Sequence, residues 1–78
     1  MRAVVLYSRP GCHLCDEART ILLAERERTA FAFEEVDIST SDALELEYGI
    51  GIPVVTVDGE EVFEISVDRT AFAELVRD

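Results

Sequence analysis

The only cysteines of the chain, Cys12 and Cys15, stand three positions apart in Arg9-Pro10-Gly11-Cys12-His13-Leu14-Cys15. Two thiols at that spacing can work as a dithiol–disulfide couple in which one sulfur attacks and the other resolves. On a helix, residues at i and i+3 have Cβ atoms roughly 5–6 Å apart, close enough for a disulfide to close with little rearrangement. If Cys12 lies at a helix start, unpaired N–H groups and the positive end of the helix dipole favour its thiolate over its thiol. The helix end contributes on the order of 0.3–1 kcal/mol. An exposed carboxylate such as Asp16 or Glu17 at ~8 Å costs the thiolate about 0.5 kcal/mol in a water-like dielectric. The Cys12 thiol is therefore expected to titrate below the free value of ~8.5, though less far than in a site without nearby acids.

Other uses of the two thiols are weaker on the same chemistry. A structural staple across three positions closes a loop of almost no length and removes little entropy from the unfolded chain. For a metal, the motif offers two thiolates and His13 as a third ligand, but the chain has no other Cys or His. A closed tetrahedral zinc site, or an iron–sulfur site, would need a second chain. A dimeric metal protein or a non-catalytic binding module is the alternative from a different class, and no metal ligand is assigned. His13 itself reads as an exposed helix-start residue or as a group tuning the thiolate. Arg9 reads as a surface charge or an anion contact.

The elements that must position this motif follow from pattern. Ala3 to Tyr7 is an apolar run without alternation, which predicts a central strand buried on both faces, broken by Ser8-Arg9-Pro10-Gly11. A helix over Leu14 to Arg28 places Leu14, Ala18, Ile21 and Leu22 on one face. Its first turn carries Asp16 and Glu17 and its last Arg26 and Arg28, complementing the dipole. Ala30-Phe31-Ala32-Phe33 leads into Glu34-Glu35-Val36-Asp37-Ile38, a β-branched and aromatic run with acids that suggests a second strand nearer an edge. Strand, helix, strand predicts a parallel pair with a right-handed crossover.

Ser39-Thr40-Ser41-Asp42 then offers several N-caps, with Asp42 and Glu45 at capping-box spacing. A short helix to Tyr48 should end at Gly49 as its C′ residue. Pro53 cannot donate to a ladder and suits the first position of a strand, supplied by Val54 to Val57. Asp58-Gly59 signals a two-residue hairpin, Glu61 to Ile65 returns, and a last helix over about Asp68 to Arg77 aligns Phe72, Leu75 and Val76. The order is β-α-β-α-β-β-α, an α/β fold in one domain over residues 1–78.

Composition narrows the function. With 78 residues the chain is near the size at which one core becomes marginal, yet 49% of it is hydrophobic and clustered, as in a folded globule. Seventeen acids against seven bases give a formal charge of −10, a surface that repels nucleic acid and anionic lipid. The five apolar residues after Arg2 are too short for a signal core or a membrane span. A cytoplasmic location is expected, where one C-x-x-C pair beside a βαβ pattern reads as redox chemistry.

The strand, the Arg9-Pro10-Gly11-Cys12-His13-Leu14-Cys15 turn, the helix, and Ile52-Pro53 opening a late strand before a hairpin and terminal helix together resemble a glutaredoxin-like protein of the thioredoxin-fold superfamily. The resemblance covers nearly the whole chain. It implies a three-layer α/β/α domain with a four-stranded mixed sheet, and a monomer acting on disulfides in proteins or glutathione mixed disulfides. Cys12 matches the nucleophile, Cys15 the resolving cysteine, and Pro53 a cis-proline facing the disulfide, with the Ile52 backbone pairing with an extended substrate. Arg9 matches a basic residue that holds a glutathione carboxylate, so glutathione is an expected co-substrate, with no bound cofactor. The chain departs from the pattern in two places. Phe63-Glu64 fills the place of a Gly-Gly pair that contacts glutathione, where an aromatic ring and a negative charge oppose an anionic tripeptide. His13-Leu14 replaces the commoner Pro-Tyr between the cysteines.

Overall fold

A computed structural model describes residues 1–77. Its elements are β1 (Ala3–Ser8), α1 (His13–Arg26), β2 (Ala32–Asp37), a single 3-10 turn (Ile38–Thr40), α2 (Asp42–Tyr48), β3 (Val54–Val57), β4 (Glu60–Glu64) and α3 (Arg69–Val76). The order matches the one expected from pattern. Four strands make one mixed sheet in the order β2-β1-β3-β4. β1 runs parallel to β2, with Ala3 opposite Ala32 and Ser8 opposite Asp37. β3 is antiparallel to both β1 and β4.

One face of the sheet carries the main core. Val4 and Leu6 of β1 and Val55 and Val57 of β3 pack with Ala18 and Leu22 of α1 and Phe72 and Val76 of α3. Phe31 meets Phe72 edge-on at 5.5 Å, joining the end of the α1–β2 connection to α3. On the other face α2 brings Tyr48 onto Tyr7, with ring centroids 4.1 Å apart. This corrects the expectation that β1 is buried on both sides: Val4, Leu6 and Ser8 are buried while Val5 and Tyr7 are half-buried. Seven residues of α2, none of them buried, are too few to seal a sheet face.

The buried stripe of α1 is also rotated from the expected one. Cys15, Ala18, Leu22 and Glu25 are buried, whereas Leu14 is 44% exposed. The disulfide cysteine takes the core position, and Leu14 moves to the rim. α1 stops at Arg26, before Arg28; the N–H groups of Arg28 and Thr29 close on the Glu25 carbonyl at 2.9 Å. In α3 the pair Phe72 and Val76 is buried, and Leu75 lies at the edge.

The cap of α2 is Ser41, whose hydroxyl accepts the Leu44 N–H at 3.3 Å, rather than Asp42. Gly49 ends this helix but keeps right-handed angles, φ −55° and ψ −32°, so it is not a left-handed C′ residue. What requires glycine there is space: a Cβ would crowd the Glu45 carbonyl and lie 3.3 Å from the Arg9 guanidinium. The hairpin forms at Asp58 (φ 53°) and Gly59 (φ 87°), the angles of a tight two-residue turn that follows the strand twist. Asp58 in turn accepts from Arg2 at 2.8 Å and from the Ala3 N–H at 2.9 Å, fastening the start of β1 to the hairpin.

Candidate redox site

Ser8 ends β1, and Arg9-Pro10-Gly11 turns the chain into α1. Gly11 has φ 76° with open space where a Cβ would stand, so its backbone angle is what calls for glycine. The turn is closed by the Cys12 N–H on the Arg9 carbonyl at 3.3 Å, and Asp16 N–H then bonds the Cys12 carbonyl at 3.1 Å. Cys12 is thus the N-cap of α1. Its Sγ accepts the backbone N–H of Cys15 at 3.1 Å, the place a serine or aspartate oxygen takes in an ordinary cap.

Cys12 and Cys15 are joined as a disulfide, with Cα atoms 5.2 Å apart. Their exposure differs sharply: Cys15 is fully buried, while Cys12 is partly open to solvent. Only Cys12 can be reached by an outside sulfur. Cys15 can be reached by Cys12.

The loop after α2 leads into β3 through Pro53. The Ile52–Pro53 peptide is cis, Pro53 is buried and Ile52 half-buried. Ile65, just past β4, shares its N–H between the carbonyls of Gly51 (3.0 Å) and Pro53 (2.8 Å). Ile65 holds φ 72°, a left-handed angle that is costly for a β-branched side chain. The glycine-favouring backbone therefore falls at Ile65 and not at Phe63-Glu64. Phe63 pairs with Val55 and packs against the core. Glu64 faces the other way, and its carboxylate lies against Gly51, 2.7 Å from where a Cβ would stand. Leu14, Ile21, Ile65 and Val67 line a crevice of about 70 Å³ beside the cysteines.

The charged residues are mutually engaged. Arg9 donates through Nη2 to Glu45 Oε1 of α2, so the anion it meets comes from this chain. Its Nε is buried without a partner among the described residues. His13, the first residue of α1, is 88% exposed at its side chain and stands 3.4 Å from Glu17. Arg19 forks onto both oxygens of Glu35 at 2.7 and 2.5 Å and reaches Asp16 at 2.8 Å. The Ser8 hydroxyl completes the set by donating to Glu35 at 2.7 Å. The Arg19 hydrogen bonds hold the Glu35 carboxyl below its usual range, with Ser8 adding to the effect. Glu35 and Asp16 hold Arg19 firmly protonated. This network ties the first turns of α1, which carry the cysteines, to β2.

Arg9, Cys12, His13, Cys15, Ile52 and Pro53, read as site residues from the sequence, lie respectively in the turn after β1 (Arg9), at the start of α1 (Cys12, His13 and Cys15) and in the proline loop (Ile52 and Pro53). Glu45, Arg19, Glu35 and Ile65 were not singled out. Glu45 read as a capping residue of α2, and the freed carboxylate is available to Arg9 because Ser41 caps instead. Among the described residues, no group of three or more His, Cys, Asp or Glu side chains is arranged to hold a metal ion. Nor is any helix long and apolar enough to cross a membrane.

Residues 3–77 match the model of the glutaredoxin-like domain family. Protein XcR50 from X. campestris is similar to the chain at 37% identity, covering 92% of each, with a TM-score of 0.78. Protein Ne2328 from Nitrosomonas europaea is similar at 26% identity over 97% of this chain and 92% of its own, with a TM-score of 0.83. A mutant thioredoxin from Halobacterium salinarum is similar at 25% identity over 96% of this chain and 71% of its own, with a TM-score of 0.72. No curated protein matches the chain.

Proposed function

The chain belongs to the glutaredoxin-like domain family, and on that premise we propose that it is a thiol–disulfide oxidoreductase working through Cys12 and Cys15. The observation that carries this reading is the inequality of the two sulfurs: Cys12 is accessible and receives the Cys15 N–H, while Cys15 is fully buried behind it. The hydrogen bond and the helix start stabilise negative charge on Cys12 in the reduced protein. Cys12 thiolate attacks a substrate disulfide and forms a mixed disulfide, expelling one substrate thiolate. Cys15 then attacks Cys12 Sγ, releases the second substrate thiol and closes the pair.

In this reading the Ile52 backbone and the buried Pro53 face an extended substrate, and Arg9 and His13 border it. The substrate is a protein disulfide or a glutathione mixed disulfide, with no bound cofactor. A thiol reductant returns the pair to the dithiol, glutathione being a candidate co-substrate. The protein acts as a monomer in a reducing compartment such as the cytoplasm, away from nucleic acid and membrane. The test is turnover of insulin disulfides with dithiothreitol. Cys12→Ser is expected to abolish it and Cys15→Ser to leave a trapped mixed disulfide. An active Cys12→Ser protein would overturn the assignment.

A further inference from the structure

Arg9 is the arginine nearest to Cys12 in the sequence and sits in the turn that presents it. Its guanidinium is already matched to Glu45, held across 36 positions by the packing of α2 against the active-site turn. Gly49 lets the two approach, since a Cβ there would press on both Glu45 and Arg9. On the α1 side, Arg19 is likewise spent on Glu35 and Asp16. Two carboxylates lie on the neighbouring stretches of chain: Glu17, 3.4 Å from His13, and Glu64, against Gly51 in the proline loop.

Resting on the oxidoreductase reading above, we propose that the Arg9–Glu45 ion pair sets the substrate charge. Glu45 occupies the cation of the turn that presents Cys12, so the site takes neutral and cationic disulfides in preference to anionic ones. A carboxylate on the substrate that reaches this turn must displace Glu45 from Arg9, which raises the barrier to attack. A neutral or cationic group meets no such obstacle. The favoured class is thus a disulfide without acidic neighbours, as in a protein segment bearing neutral or basic residues.

In each turnover the Cys12–S bond forms as the substrate S–S bond breaks, and the leaving thiolate takes a proton from water. Cys15 thiolate then displaces the bound sulfur. The protein dithiol loses two electrons, and the substrate disulfide becomes two thiols.

Three small disulfides of similar size test this: dithiodipropionate (anionic), bis(2-hydroxyethyl) disulfide (neutral) and cystamine (cationic). Each oxidises pre-reduced protein in a single turnover, and each rate is normalised to that of dithiothreitol with the same disulfide. The anionic rate is expected about three- to tenfold below the neutral one, with the cationic rate equal to or above it. High salt narrows the gap. Glu45→Gln raises the anionic-to-neutral ratio severalfold, and adding Arg9→Gln removes the gain. Reading a ratio cancels any change in thiolate population that both substrates share. An anionic rate equal to or above the neutral one, or a gap that salt does not alter, overturns the proposal. So does a ratio unchanged by Glu45→Gln, or a gain that survives Arg9→Gln. The wild-type charge order and salt dependence can overturn the proposal without any variant, and the Glu45→Gln ratio assigns the effect to the ion pair rather than to the overall charge of −10. If none of the three disulfides oxidises the dithiol, the oxidoreductase reading itself fails, and the proposal with it.

Discussion

The backbone N–H of Cys15 points at Sγ of Cys12 across 3.1 Å, so the residue that buries one sulfur also stabilises the other. A sulfur in the N-cap position is placed where the unpaired donors of a helix converge. Reduction of the disulfide leaves this geometry acting on a thiolate. The Cys12 thiol should therefore titrate below ~8.5, the helix-end contribution being partly offset by Asp16 and Glu17. The pH dependence of iodoacetamide alkylation of reduced Cys15→Ser protein reads this directly. A midpoint at or above the free-thiol value would contradict it.

Arg19 and Glu35 join α1 to β2 through a two-point contact that Ser8 and Asp16 extend. Glu35 is depressed in the folded protein, so it binds fewer protons than the unfolded chain near its ordinary pKa. Its contribution is present above the unfolded value of ~4.3 and is lost as the pH falls through the folded one. Both side chains are about one-third exposed, which places the pair near 1 kcal/mol rather than at the value of a buried one. Glu35→Gln should lower stability by about that amount at pH 7 and by little near pH 2. Urea denaturation at the two pH values checks it; equal losses at both would show that the charge is not the cause.

Ile65 combines a β-branched side chain with φ 72°, an arrangement costing on the order of 1–3 kcal/mol. Asparagine tolerates the left-handed region and keeps a side chain. Half of Ile65 is exposed, so part of its apolar burial is given up in exchange. Ile65→Asn is expected to raise the urea midpoint by the equivalent of about 0.5–1 kcal/mol, while Ile65→Val, which keeps the branch, should not raise it. A lower midpoint for Ile65→Asn would mean that its contact with the crevice outweighs the backbone cost.

Ser41 caps α2 through Leu44, and Asp42 does not. Ser41→Ala should cost about 1 kcal/mol, whereas Asp42→Asn should cost only the few tenths of a kcal/mol expected from first-turn charge. Chemical denaturation of both variants separates the assignments, and the reverse order would restore Asp42 as the cap.

Much of the fold was legible because it is local. The Asp58-Gly59 turn, the break at Pro10-Gly11, the apolar run of β3 and the helix of α3 each declare themselves within a few residues. The cysteine pair and Ile52-Pro53 are of the same kind. What pattern could not supply was contact across the chain. Arg9 meets Glu45 and Arg19 meets Glu35 only because the sheet register and the seating of α2 bring them together. The apolar face of α1 was misplaced for a related reason. Cys15 serves as a core residue there, which periodicity drawn from Leu14 and Ile21 did not count. β1 is only half-buried on the side of Val5 and Tyr7, a fact of packing that its own residues do not carry. The left-handed backbone at Ile65 is likewise visible only in the structure.

The central claim is that Cys12 and Cys15 form a reversible two-electron couple. Its most direct test is equilibration of the protein in graded reduced and oxidised dithiothreitol, with thiols quenched by acid and alkylation and the species resolved by intact mass. The account predicts two species only, dithiol and internal disulfide, interconverting in a single two-electron transition that is reached equally from either side. A pair that stays fully reduced, or one whose disulfide cannot be reduced in the folded protein, would contradict it.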